Sequence, residues 1–118
     1  MKSLFDINLG NPKKLTVLGG INDCINGQYN IIGDKRNGKN IFMKDDSNKF
    51  YIWFNYNNRL KYGCWVIGTN YLCKNEYHIS DYAYLEEYNK LWLELYNEDY
   101  YNGTRCFKGN ENLKIEFN

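Results

Sequence analysis

The chain has 118 residues, of which 25% are charged and 18% aromatic, and its formal net charge is +1. That length is one domain's worth and can bury a modest core without a metal or disulfide staple. A charge this close to zero argues against a general binder of nucleic acid or anionic membrane surfaces, and no apolar run reaches the roughly 18 residues that a membrane helix needs.

Residues 1–12 are expected to form an N-terminal tail or edge strand. Leu4, Phe5, Ile7 and Leu9 partly alternate, and Asn11-Pro12 breaks the chain because proline lacks a donor and restricts the residue before it. Residues 13–118 are expected to form a single β-domain. Leu15–Leu18 is the first strand of that domain, ended by Gly19-Gly20. Asn26-Gly27 and Asn37-Gly38 are turn signals, since glycine takes positive φ freely and asparagine tolerates it. Between them Tyr29–Ile32 is a strand and Gly33–Gly38 a polar loop. Asn40–Lys44 is the next strand, with its turn at 45–49, and Phe50–Asn55 follows. Period-two geometry puts Phe50, Ile52 and Phe54 on one face of that strand and Tyr51 and Trp53 on the other. Both faces are aromatic, so either the sheet is covered on both sides or one side binds something. The turn at Asn57-Asn58-Arg59 leads into Tyr62–Ile67, where Trp65 and Ile67 share the core side.

Residues 79–96 admit two readings. Ser80 or Asp81 suits a helix cap, and Tyr82, Leu85, Tyr88, Trp92, Leu95 and Tyr96 fall near one helical stripe. Alternatively the chain breaks at Asn89-Lys90, and Leu91, Leu93 and Leu95 alternate against Trp92, Glu94 and Tyr96 as a strand over 91–96. Strands over 104–108 and 113–117 close the chain, the latter with Leu113, Ile115 and Phe117 inward. The expected fold is all-β, a small antiparallel meander or barrel-like sheet with room for one helix around 80–90. An α+β fold with a helix at 80–96 is the alternative. The expected core is Tyr29, Ile31, Ile52, Phe54, Trp65 and Ile67.

Chemistry-bearing residues are sparse. Cys24, Cys64, Cys73 and Cys106 show no C-x-x-C spacing, which gives a zinc site little support. Met1–Asp6 carries charge too early for a signal peptide, so reduced thiols in the cytoplasm or another reducing intracellular compartment are expected. Cys64, beside Trp65, is expected to pack as a small apolar residue. His78 is the only histidine, and no partner set for general-base work can be assembled around it. Lys35 and Arg36 lie in a loop that lacks the dense glycines and following helix of a phosphate cradle. No catalytic residue, metal ligand or cofactor is assigned. Charge is unevenly spread: ten Lys and Arg against five Asp and Glu through Lys61, then five against nine.

The ordered set Asn26, Gly27, Tyr29, Gly33, Asn37, Gly38, Phe42, Lys44, Tyr51, Trp65 and Ile67 resembles a short β-module. That module occurs singly or in tandem in large eukaryotic proteins, including those of apicomplexan parasites and algae. The resemblance covers about half of the chain well, a moderately specific match because the pieces recur in order. It implies an all-β fold with an interaction role, a strand after Tyr82-Ala83-Tyr84, and no catalytic residues. With the surplus of Tyr and Trp, it leads to the expectation of a non-enzymatic protein-interaction module or small structural subunit. Tyr51 and Trp53 would be its partner-binding anchors on a wet sheet face, with Arg59 as a polar rim. A carbohydrate-binding module is the alternative, since exposed Trp and Tyr can stack sugar rings, and a thiol-dependent enzyme using one cysteine beside His78 is the third.

Overall fold

The computed structural model describes residues 2–3, 13–46, 49–57, 62–70, 81–86, 90–99 and 104–117. They form one curled antiparallel sheet, a half-barrel, with no α-helix among the described residues. The strands are β1 (Lys2–Ser3), β2 (Lys14–Leu18), β3 (Gly27–Arg36), β4 (Lys39–Lys44), β5 (Tyr51–Asn57), β6 (Tyr62–Gly68), β7 (Asp81–Glu86), β8 (Leu91–Asp99), β9 (Thr104–Gly109) and β10 (Lys114–Phe117). A 3-10 turn, Asp23–Ile25, lies between β2 and β3. The sheet order is β1-β10-β2-β3-β4-β5-β6-β7-β8-β9. From β2 to β9 it is a plain meander, so most of its neighbours are close in sequence. The last strand departs from that rule. Residues 110–113 carry the chain from β9, at one end of the sheet, to β10 beside β2 at the other. So short a link requires the two ends to lie close together, and the sheet must curl.

The turn chemistry explains much of the path. Asn37 and Gly38 both take left-handed backbone, at φ 52° and 77°. Two such residues in succession make the tight turn whose twist suits a hairpin. The expected loop over 33–38 therefore shrinks to these two residues. Gly33–Arg36 continues β3, with a register shift against β4 between Ile31 and Lys35. Gly19 also takes positive φ, at 77°, and a Cβ there would meet the Asn112 carbonyl oxygen at 1.9 Å. Only glycine lets the end of β2 and the 110–113 link approach this closely.

The helix considered around 80–90, and its extension to 96, is replaced by β7 and β8. Tyr84 stands opposite Leu93, and Leu85 opposite Trp92. Asp81, Ala83 and Leu85 are buried while Tyr82, Tyr84 and Glu86 are partly exposed, the period of a strand. Lys90 turns the chain with φ 53°, within the predicted break at Asn89-Lys90. In the N-terminal segment, Lys2 and Ser3 pair with Phe117 and Glu116. The Leu4–Leu9 alternation, Pro12 and the turn at 102–103 lie outside the described residues.

The main core lines the concave side. It joins Leu15, Val17, Ile25, Tyr29, Phe42, Phe50, Ile52, Trp65, Ile67, Ala83, Leu85, Trp92, Leu113 and Ile115. Of the six expected core residues, Tyr29, Ile52, Trp65 and Ile67 are buried, while Ile31 and Phe54 pack against that core from partly exposed positions. Phe54 meets Trp65 edge to face at 5.5 Å. A smaller cluster of Ile41, Trp53, Cys64 and Val66 forms on the other side of β4, β5 and β6.

Candidate functional site

The second cluster holds two of the three expected anchor residues. Register fixes its geometry: Trp53 stands opposite Val66, Val66 opposite Tyr84, and Tyr84 opposite Leu93. Directly opposed residues share a face, so an apolar row crosses β5, β6, β7 and β8 on the convex side. Tyr51 and Ile32 flank it and are partly buried. Tyr84 continues it into β9 by an edge-to-face contact with Phe107 at 5.2 Å, and the Arg105 guanidinium lies 5.8 Å from the Phe107 ring centre.

Trp53 lies on the side opposite Ile52, as period-two geometry requires, but it is 0% exposed. The expectation of a wet Trp53 is thereby corrected. Trp53 packs with Ile41, Cys64 and Val66, and Ile32, Tyr51 and Tyr84 lie against that group. Its indole Nε1–H meets no acceptor among the described residues. Tyr51 is only partly buried and is engaged in contacts of its own. Arg59, His78 and Cys73 lie outside the described residues. Cys64 is buried in the convex cluster and packs as a small apolar residue, as expected.

The structure also builds a polar centre that the sequence did not single out. Glu94 sits on the concave face of β8, opposite Ala83, and is 0% exposed. Its Oε1 accepts the backbone N–H of Ile21 at 2.9 Å and the Asn110 side-chain amide at 2.8 Å. Its Oε2 accepts the Asn22 backbone N–H at 2.7 Å and the Asn22 side-chain amide at 2.6 Å. The Asn22 amide also donates to the Leu95 carbonyl at 2.7 Å, and the Asn110 amide to the Gly19 carbonyl at 2.9 Å. One carboxylate thus joins β8, the β2–β3 connection and the 110–113 link. The signal for it is a single acid inside the apolar run Leu-Trp-Leu-Glu-Leu that opens β8. Its partners lie up to 73 residues away and leave no local trace.

Nearby, the Lys44 ammonium donates to the Cys24 carbonyl at 2.8 Å and lies 3.3 Å from an Asp46 carboxylate oxygen. The Tyr29 hydroxyl donates to the Ile25 carbonyl at 2.7 Å. Burial pushes the Tyr29 phenol well above its ordinary pKa, since the anion has lost its water. Partial burial of the sulfur also raises the Cys24 thiol, although the residue as a whole is exposed, and the Lys44 charge opposes that shift only in part. A thiol nucleophile needs the reverse shift. Among the described residues no three His, Cys, Asp or Glu side chains gather as a metal site, and no helix is long and apolar enough to cross a membrane. No family model, no curated protein and no solved structure matches the chain.

Proposed function

We propose that the protein is a non-enzymatic protein-interaction module or small structural subunit whose contact surface is the convex face of β5 to β9. The observation that carries this reading is the apolar row Trp53–Val66–Tyr84–Leu93. A half-barrel needs only its concave side to be apolar, and a second apolar side serves either a cover or a partner. Trp53 and Val66 are the buried floor of the row, while Tyr51, Tyr84, Leu93 and Phe107 stay partly exposed around them. Partly exposed aromatics over a dry floor, with Arg105 at the margin, have the composition of an interface anchor. In this reading Tyr51 touches the partner, Trp53 supports it from below, and Arg59 remains a candidate for the polar rim. The resemblance to an interaction β-module supports the same conclusion. The raised Cys24 thiol counts against that cysteine as a nucleophile. A cytoplasmic or other reducing compartment belongs to the proposal, supported by four cysteines without paired spacing.

The test is site-specific photocrosslinking in the native cell. A photoreactive residue replaces Tyr51 or Leu93 on the convex apolar side, or Gln28, exposed at the start of β3, as the control. The expected result is an adduct of one discrete mass from Tyr51 and Leu93 and none from Gln28. Equal labelling from all three positions, or none from Tyr51 and Leu93, overturns the reading.

A further inference from the structure

We propose that residues 19–26 form a strap across the concave side, latched by Glu94, that opens as one unit while the sheet stays folded. The strap is internally organised. The Asn26 side-chain amide accepts from the Gly20 N–H at 2.8 Å and donates to the Gly20 carbonyl at 3.1 Å, closing its neck. Within that neck, the Ile25 N–H reaches the Asn22 carbonyl at 3.1 Å and the Asn26 N–H the Asp23 carbonyl at 3.0 Å. Ile25 is the plug, fully buried in the main core.

The bonds from the strap to the rest of the molecule are of another kind. Among the described residues, each has a side chain at one end, supplied by Asn22, Glu94, Asn110, Tyr29 or Lys44. None belongs to the sheet ladder, so the strap can leave without breaking a strand pair. The latch is also saturated. Each Glu94 oxygen holds two donors, and the Asn22 and Asn110 amides each spend both hydrogens. In a buried network with no spare group, losing one bond leaves others unsatisfied, so the members release together. Ile21 lies between this network and the surface: its N–H is bonded to Glu94 while the residue is 55% exposed.

Hydrogen exchange of the whole protein, followed residue by residue, tests the strap. In the unmodified chain the amides of Ile21, Asn22, Ile25 and Asn26 are expected to exchange as a group, faster than those of β5 and β6. Glu94→Gln places an N–H₂ where two donors already point. It is expected to speed the strap group by about tenfold or more, the effect of losing one charge-assisted hydrogen bond, and to leave β5 and β6 unchanged. If Glu94→Gln does not fold, Asn22→Ala carries the same expectation, because it removes two latch bonds and keeps the carboxylate. Strap amides that exchange only together with β5 and β6 overturn the proposal. So does a variant that speeds both groups alike, or neither.

Discussion

The sheet has two halves built on different rules. In β10, β2 and the first half of β3 the buried apolar residues lie on the concave side, and Ile32, further along β3, is the first to join the convex cluster. Leu15 and Val17 point in while Lys14 and Leu18 are exposed, and Lys114, Ile115 and Gln28 follow the same alternation. From β4 to β8 both sides are apolar: Ile52, Ile67 and Trp92 on one, Trp53, Val66 and Leu93 on the other. One-sided strands announce themselves by alternation, and two-sided strands do not. The two-sided half thus carries a surplus of apolar surface beyond what closing the half-barrel requires. The proposed function accounts for that surplus.

The largest expected effects come from one tryptophan on each side of the two-sided half. Trp65, on the concave side, and Trp53, on the convex side, are both buried. Replacing either by Ala is expected to cost about 3–5 kcal/mol, read as a shift in the denaturant midpoint. A convex side that is a true second core makes the two losses comparable. If Trp53→Ala costs less than about 0.5 kcal/mol, the range of ordinary surface changes, the two-sided description fails.

The same difference decides what could be read from the sequence. Strands with one wet face were legible: Leu15–Leu18 falls on β2 and 113–117 spans β10, with Leu113 and Ile115 buried in the main core as expected. Residues 79–96 were ambiguous because β7 and β8 carry apolar residues on both sides. Tyr82, Leu85 and Trp92 then mimic a helical stripe by spacing alone, and only cross-strand pairing separates the two readings. For Trp53, period two gave the side but not its cover, since cover is a tertiary fact. Glu94 was illegible because all its donors come from remote segments.

At the boundary of the two halves, Lys44 is buried on β4 and tied to the strap through the Cys24 carbonyl. Its contact with Asp46 adds little, because that carboxylate is largely exposed and screened. Lys44→Met keeps the buried stem and removes the charge-assisted bond, and is expected to cost about 1.5–3 kcal/mol. Asp46→Asn is expected to change stability by less than about 1 kcal/mol. Thermal melts of the two variants separate the terms, and an Asp46→Asn loss as large as that of Lys44→Met shows that the ion pair dominates.

Tyr29 is the next smaller case. Tyr29→Phe removes the bond to the Ile25 carbonyl and is expected to cost about 0.5–1.5 kcal/mol at neutral pH. The pH dependence has a definite sign. Burial raises the phenol's pKa in the folded state, so above the ordinary value of about 10 the unfolded chain loses a proton that the folded one keeps. The stability Tyr29 contributes is full below that pH and falls as pH rises beyond it. Urea titrations are therefore expected to show the unmodified protein losing its advantage over Tyr29→Phe above about pH 10. A gap that stays constant through that range means the phenol ionises equally in both states.

The smallest expected effect sits on the wet side of the one-sided half. Gln28 is exposed on β3, opposite Thr16 on the outer face of β2. Its neighbours in sequence, Gly27 and Tyr29, face the other way, and Tyr29 is fully buried. The Gln28 backbone carbonyl accepts the Asp45 N–H at 2.9 Å, a bond that a side-chain change leaves in place. Gln28→Ala removes neither buried area nor a described side-chain hydrogen bond, so its effect is expected to stay within about ±0.5 kcal/mol. It is the counterpart of Trp53→Ala: each replaces an outward side chain of a central strand, one on each half. If Gln28→Ala costs several times that amount, the outer face of β3 is covered too, and the convex surplus extends across the whole sheet. A null effect beside a large Trp53 loss confines the surplus to the stretch from Ile32 of β3 through β9, where the proposed partner contact lies.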